Sequence, residues 1–573
     1  MWKIIAPCVL LAARAAGEIC PLPGPAFPAP RDAARSAALD EASTSFVNTL
    51  NSIMQPPANP QAPAIDPNLV SFTVQVYSAR DPKPLFEYYH TATSARNNTI
   101  GVNKVDENTV FRTGSISKLY TVLLLLIEKG DALFHEPVVK YIPELQDAVA
   151  ELNQDNMLHN DIDNIRWEEV TIGELASQMS GLERSFGLGD RSSDPGLMVP
   201  LGFPHVPQSK VPRCGLIPTC SRSEFFSGPM RRHPIVPTSS GPAYSNDAFQ
   251  LLGYILEAMT GNTYSETLEE RLIKPLGLTG SSYKAPDDHV GMIPGPKNRT
   301  QWDLDLGDLT PAGGLYSSSN DLSTLGRAIL NHDLLSSALT RRWLKPVAYA
   351  AEPTFAVGSP WEIFSLTEPR MISLYTKAGD IGRYSAMMGL SPDHDIGFTI
   401  LAAGQATTAT VATLGDLITT ITIPGVDEAA KQEASYMFGG TYTSASANAS
   451  LTLTSDDRPG LRVSNWTNEG QDMMEALRRL QSWISGADID LRLYPTGLKT
   501  HGKISFRSAV SSQSPVGPGN GPITRPCRSW QLVDGLVYGI VSVDEFVFEI
   551  GEEGDAVSVS PRALRVSLPR VSH

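Results

Sequence analysis

Between Val70 and Tyr77 the chain reads VSFTVQVY, with Val70, Phe72, Val74 and Val76 alternating against Ser71, Thr73 and Gln75. A period of two gathers the apolar set on one side, which predicts a strand with one buried face and the start of a sheet. The period then changes. Phe111–Gly130, FRTGSISKLYTVLLLLIEKG, carries a long apolar run from Leu119 to Ile127. That run predicts a core helix over Ser115–Lys129, stopped by Gly130, a residue suited to the left-handed turn at a helix C-terminus. Thr171–Met179 and Asp247–Thr260 predict further helices. Tyr384–Leu390 and Ile396–Ala403 predict a hairpin across SPDHD, with His394 in its turn and a helix-like stretch onward to Ile423.

Outside this body the pattern is different. Pro-rich segments at 21–30 and 55–67 bracket one amphipathic stretch with Phe46, Leu50 and Ile53 at helical spacing, which predicts a helix packed on the main body. Residues 183–240 are rich in Gly, Pro and Ser and read as a long insertion near the site. After IPGVDEAAKQEA come short strand-like runs with turns, among them LTLTSDD, DLRLYP, GKISFRS, WQLVDGLVYGIVSV and EFVFEIG. The expected organisation is a signal segment (1–17), an N-terminal extension with one helix (18–67), a main domain (68–430) and a C-terminal all-β domain (431–573). No solenoid repeat is present.

Composition narrows the function. The 573 residues are 41% hydrophobic, enough for a large core, and the formal net charge of −15 argues against a nucleic-acid partner. MWKIIAPCVLLAARAAG has an early positive charge, an apolar stretch and small residues near Ala16, the pattern of a cleaved secretory signal, too short and interrupted to span a bilayer. Secretion leaves Cys20, Cys214, Cys220 and Cys527, an even number in an oxidising compartment. Three pairings are possible; the short spacing favours Cys214 with Cys220 and so Cys20 with Cys527. Asn97, Asn298, Asn448 and Asn465 stand in glycosylation sequons.

Candidate chemistry centres on Ser115 and Lys118. Three residues apart on a helix share a face, so a lysine amine can reach the serine hydroxyl at the helix's positive end. A second Ser-x-x-Lys, Ser281–Lys284, falls in a loop and is set aside. Tyr244-Ser245-Asn246 precedes a helix, and Lys377-Ala378-Gly379 follows MISLYT at the expected end of a strand. No Gly-x-Ser-x-Gly elbow and no His-Glu-x-x-His occurs, and the ten histidines are scattered, so no metal site or cofactor is indicated.

With FRTGSISK, VTIGELASQMSGL, GPAYSNDAFQLLGYILE, KPLGL, PAGGLYSSSNDL and TKAGDIGRYSAMMGLSPD in this order, the chain resembles the serine β-lactamase and penicillin-binding protein superfamily from about Val70 to Ala403. It is most similar to secreted fungal members of the β-lactamase-related group. The resemblance implies an α+β fold, with helices around a mainly antiparallel sheet. It implies Ser115 as nucleophile, Lys118 as its base and Tyr244 in the proton relay. It further implies that Asn246 orients Lys118 and the substrate, that Lys377 is a neighbouring cation, and that the N–H groups of Ser115 and Asp380, beside Gly379, form an oxyanion hole. A lysine with an ordinary pKa of about 10.4 needs burial or a nearby cation to act as base. Two strings depart from the family. Lys-Thr-Gly becomes Lys377-Ala378-Gly379, losing a hydroxyl that helps hold a β-lactam carboxylate, so poor penicillin hydrolysis is expected. His-Thr-Ser-Gly-Leu becomes Gln178-Met179-Ser180-Gly181-Leu182, read as structural, as are the glycines of PAGGL.

The expected function is a secreted serine hydrolase cleaving a small-molecule ester or amide through an acyl-serine intermediate. An acyltransferase using the same site and a non-catalytic binding protein of the same fold are the alternatives. The sequence does not specify the oligomeric state.

Overall fold

The alternating segment at 70–77 becomes β1 (Val70–Ser78), but every residue of it is buried, on both faces. The expectation of a single buried face fails because the helix Ser319–Leu330 covers the polar side. There Gln75 accepts from the Ser323 hydroxyl and donates to the Tyr89 hydroxyl, and Ser71 accepts from the Ala92 amide. These hydrogen bonds offset the cost of burying Gln75 and Ser71, while the Thr73 hydroxyl is buried without a partner among the described residues.

The structure, a computed structural model, describes residues 20–56, 64–96, 100–154, 160–215, 217–228, 232–480, 489–512 and 527–572. The signal-like segment and the Asn97 sequon lie outside them. Asn298, Asn448 and Asn465 are exposed. The chain divides into two units.

The larger unit takes in Ser43–Ser365 and Ser373–Ile421. Its strands are β1, β2 (Pro84–His90), β3 (Phe111–Arg112), β4 (Tyr316–Ser317), β5 (Ala348–Tyr349), β6 (Phe355–Val357), β7 (Glu362–Leu366), β8 (Ile372–Ile381), β9 (Tyr384–Ser391) and β10 (Ile396–Gly404). Eight of them form one sheet in the order β2-β1-β10-β9-β8-β7-β6-β5, and β3 pairs with β4 apart from it. The β9–β10 hairpin turns where expected, with His394 buried in the turn and its Nδ1 2.8 Å from the Ser391 hydroxyl. Against the sheet lies a helical layer. The helix Ser117–Lys129 is buried at every position from Ser117 to Leu126 and ends on Gly130 in a positive-φ conformation. Ser115 precedes this helix, in a 3-10 turn at Gly114–Ile116, instead of opening it. The helix Asp247–Thr260 packs beside it. The expected helix at 171–179 is only Ile172–Ala176, closed at its start by a reciprocal Thr171/Glu174 cap. Residues 183–240 carry short helices and the Cys214–Cys220 disulfide, with Cα atoms 4.9 Å apart.

The smaller unit joins Thr422–His573 with Met1–Ala42 and Leu366–Ile372, so residues far apart in the chain share it. Within the N-terminal extension, the helix Ala37–Ile53 packs Phe46 on Phe86 in the larger unit, while the preceding Ala26 and Phe27 enter the core of the smaller. Its strands are β11 (Gly440–Ser444), β12 (Ala449–Thr454), β13 (Leu461–Asn468), β14 (Gln471–Asp472), β15 (Ile489–Thr500), β16 (Lys503–Ser512), β17 (Val537–Tyr538), β18 (Val541–Ser542), β19 (Glu545–Ile550), β20 (Ala556–Pro561) and β21 (Leu568–Ser572). The order β12-β11-β21-β20-β19-β16-β15-β13-β14, with β12 also paired to β13, closes eight strands on themselves and leaves no open edge among them. Phe438, Phe506 and Phe548 meet edge to face inside, with centroids 5.0 to 5.1 Å apart. The unit is β-rich and not all β, since Met473–Leu480 and Ser529–Leu532 are helical. WQLVDGLVYGIVSV, read as strand, opens with that short helix and then makes the tight β17–β18 hairpin, because Asp534, Gly539 and Ile540 take positive φ. Cys20 is joined to Cys527, with Cα atoms 5.1 Å apart across 507 residues of sequence.

The run Thr407–Phe438 is long and apolar enough to cross a bilayer by length and composition, yet half of its most apolar window is buried in the protein, as in a core helix.

Candidate active site

The turn that carries Ser115 is held from below. The Ser117 hydroxyl donates to the Gly114 carbonyl at 2.7 Å and accepts from the Leu315 amide at 3.0 Å. Gly114 takes φ +52°, a conformation open to glycine. A Cβ there would also lie 2.6 Å from the Asp380 nitrogen, while one on Gly379 would collide with the Ser115 nitrogen and the Thr113 carbonyl. These two glycines let β8 and the turn touch through their backbones. The backbone nitrogens of Ser115 and Asp380 both line this contact.

Lys118 is fully buried, one turn along. Its Nζ lies 3.1 Å from Ser115 Oγ, 2.7 Å from Asn246 Oδ1 and 2.6 Å from the Ala312 carbonyl oxygen. Burial pulls its pKa down to about 8, opposed by the Tyr244 phenol and helped by the Lys377 ammonium. The Tyr244 hydroxyl donates to Ser115 Oγ at 2.7 Å. Burial alone would raise the Tyr244 phenol, but the Lys118 and Lys377 ammoniums outweigh it and bring it down to about 8. The Arg184 guanidinium lies over the Tyr244 ring, 4.9 Å from its centroid.

Tyr244-Ser245-Asn246 is positioned by the 178–185 segment. The Ala243 amide donates to the Gln178 carbonyl, the Ser245 amide to the Gln178 side-chain oxygen, and the Asn246 amide to the Arg184 carbonyl. Asn246 Nδ2 donates to Ser185 Oγ at 2.8 Å, leaving its oxygen for Lys118. Gln178 is thus structural, as read.

Lys377 lies inside β8 and not at its end. Its side chain is 2% exposed, and its Nζ donates to Glu362 on β7 and to the Ala378 carbonyl at 2.7 Å. Burial depresses the ammonium, and the Glu362 carboxylate together with Tyr244 and Asp380 outweighs it, so the net direction is upward. The exposed Asp380 carboxylate accepts from the Ser385 and Thr408 hydroxyls at 2.5 and 2.7 Å. Ser115, Lys118, Tyr244, Asn246, Lys377, Gly379 and Asp380 therefore converge within one unit. The set-aside Ser281 is buried with its hydroxyl on Asp321, and Lys284 is exposed.

Four participants escaped the sequence reading: the Ala312 carbonyl, Ser185, Arg184 and Glu362. PAGGL marked the neighbourhood of Ala312, but a backbone acceptor has no side-chain signature. Glu362 lies 15 residues before Lys377 and meets it only through strand pairing.

This chain belongs to the β-lactamase family: the family's model matches residues 72–421. A second model, described as the C-terminal domain of a β-lactamase-like protein, matches residues 430–572. A β-lactamase-like protein of Arthroderma benhamiae is 28% identical over 85% of this chain and 85% of its own. A probable hydrolase of a Phoma species is 26% identical, over 87% of this chain and 84% of its own. Among solved structures, the octameric penicillin-binding protein homologue of Pyrococcus abyssi is 15% identical, covering 93% of this chain and 99% of that one, with a TM-score of 0.47.

Proposed function

We propose that the protein is a secreted serine hydrolase that cleaves an ester or amide of a small molecule through an acyl-Ser115 intermediate, with the chemistry in the 68–430 segment. The observation that carries this reading is the pattern of partners around Lys118. Its two shorter contacts are to oxygens that only accept, Asn246 Oδ1 and the Ala312 carbonyl. A neutral amine keeps its two protons on these and turns its lone pair toward Ser115 Oγ, the longer contact. A pKa of about 8 makes that neutral form accessible near physiological pH.

In the proposed cycle Ser115 Oγ attacks the substrate carbonyl carbon and its proton passes to Lys118 Nζ. The developing oxyanion accepts from the Ser115 and Asp380 amides, each such donor being worth roughly 3 kcal/mol. As the carbonyl–leaving-group bond breaks, Tyr244 gives its proton to the leaving group, and the Lys118 ammonium returns a proton to the phenolate. Water then attacks the acyl-serine, losing a proton to the same pair, and Ser115 recovers its proton as the acid departs. Asn246 holds Lys118 in place.

Secretion is supported by the signal-like first 17 residues and by two disulfides, which persist in oxidising compartments. The test is labelling of the protein with a fluorophosphonate, followed by peptide mass spectrometry and assay with p-nitrophenyl esters. Modification of Ser115 with loss of ester turnover is expected. Label on another residue with turnover intact would overturn the reading.

A further inference from the structure

Two residues before Gly379, at the strand edge that abuts Ser115, stands Lys377. Its ammonium is buried, 2% exposed, and is covered by Glu362, whose side chain is 23% exposed. One Glu362 oxygen takes the ammonium and the other takes the Ala378 amide at 3.0 Å, so the carboxylate bridges charge and backbone. The Glu362 carbonyl also accepts from the Thr376 hydroxyl at 2.7 Å, which anchors the start of β7 to β8. An ion pair closed in this way is locally neutral, and its outward side is the carboxylate. The position after Lys377 is Ala378, which offers no hydroxyl. The exposed Asp380 adds a second negative charge on the same strand.

We infer that Glu362 is a specificity-determining residue that masks Lys377, so that the part of the substrate lying along β8 is uncharged and carboxylate-bearing substrates are disfavoured. This rests on the acyl-Ser115 reading and deepens it by naming the substrate class. A carboxylate brought to this edge meets Glu362 before it meets Lys377, and displacing Glu362 would strand the glutamate's own charge. An uncharged acyl chain incurs neither cost.

The experiment compares kcat/KM for p-nitrophenyl butyrate with that for mono-p-nitrophenyl glutarate, an ester of similar reach ending in a carboxylate. The wild type should favour butyrate by about tenfold or more, the scale of one charge-assisted hydrogen bond lost or opposed. Glu362→Gln should move the ratio toward glutarate by about tenfold, whereas Glu362→Asp, which keeps the charge, should hold it near the wild-type value. An unchanged ratio in a folded Glu362→Gln protein overturns the inference. Inhibition of the wild type by phenylboronic acid and 3-carboxyphenylboronic acid needs no variant. Weaker inhibition by the carboxylated compound supports the masking, and equal or tighter inhibition overturns it. Ser115→Ala separates the two levels. Surviving butyrate turnover in that variant removes the acyl-serine reading and the inference with it, while abolished turnover with an unchanged Glu362→Gln ratio removes the inference alone.

Discussion

A Cβ on Gly379 would lie 2.4 Å from the backbone nitrogen of Ser115, so no side chain fits between the two residues. This contact sets the spacing of the two amides proposed to receive the oxyanion. Gly379→Ala should therefore cost activity far more than stability. Its Cβ would push β8 away from the turn, and kcat should drop by about 100-fold or more, the loss seen when one oxyanion donor is removed. Ester kinetics and thermal melting on the same preparation check this.

Ser115→Ala and Lys118→Ala should each lower turnover by several orders of magnitude. They differ in stability. Ser115 is partly exposed, so its loss should leave the melting temperature nearly unchanged, while Lys118→Ala leaves a cavity and strips Asn246 and Ala312 of a donor. That variant should lose about 1 to 3 kcal/mol. Denaturant unfolding of both variants decides it.

The pH profile follows from Lys118 and Tyr244. With Lys118 needed neutral and Tyr244 needed protonated, and both brought down to about 8, kcat/KM should follow a bell, rising as the ammonium loses its proton and falling at higher pH as the phenol loses its own. The Lys377 ammonium helps lower both Lys118 and Tyr244. Lys377→Met removes that cation and leaves Glu362 unpaired, both of which raise the two pKa values. The rising limb should then shift to higher pH, by about one unit. A shift to lower pH would contradict this electrostatic account.

Behind Asn246 a buried carboxyl pair gives a second pH dependence. Asp247 is pushed up to about 8, by burial first and then by the charge of Glu183, and its Oδ2 accepts from the Phe186 amide at 2.8 Å. A folded-state pKa above the unfolded value of about 3.9 means the native protein binds the extra proton, so this group's contribution to stability falls as pH rises from about 4 to about 8. Asp247→Asn removes that proton linkage. Its stability relative to wild type should improve by on the order of 1 to 3 kcal/mol between pH 5 and pH 8, read from urea unfolding at the two pH values.

The disulfides should differ in weight. By chain entropy, closing the 507-residue separation of Cys20 and Cys527 constrains the unfolded chain more than closing the 6-residue separation of Cys214 and Cys220. The order-of-magnitude values are about 6 and about 2 kcal/mol, which native strain can only reduce. Cys20→Ser should lower the melting temperature of the β-rich unit more than Cys214→Ser lowers that of the larger unit, as followed by calorimetry.

What the sequence determined by itself was everything set by near neighbours. The Ser115/Lys118 spacing, the Leu119–Ile127 run with Gly130 at its end, the Asp247–Thr260 helix and the β9–β10 hairpin all depend on periodicity and turn residues within a few positions, so they were legible. The two-sided burial of β1 was not, since a strand's own alternation cannot say whether a helix such as Ser319–Leu330 will cover its polar face. Tertiary structure also decided which charges meet. Glu362 reaches Lys377 through the register of β7 on β8, and Ala312 reaches Lys118 from 194 residues away. The pKa values of Lys118 and Tyr244 follow from that burial and those neighbours, because desolvation and Coulomb energy act through space and not along the chain.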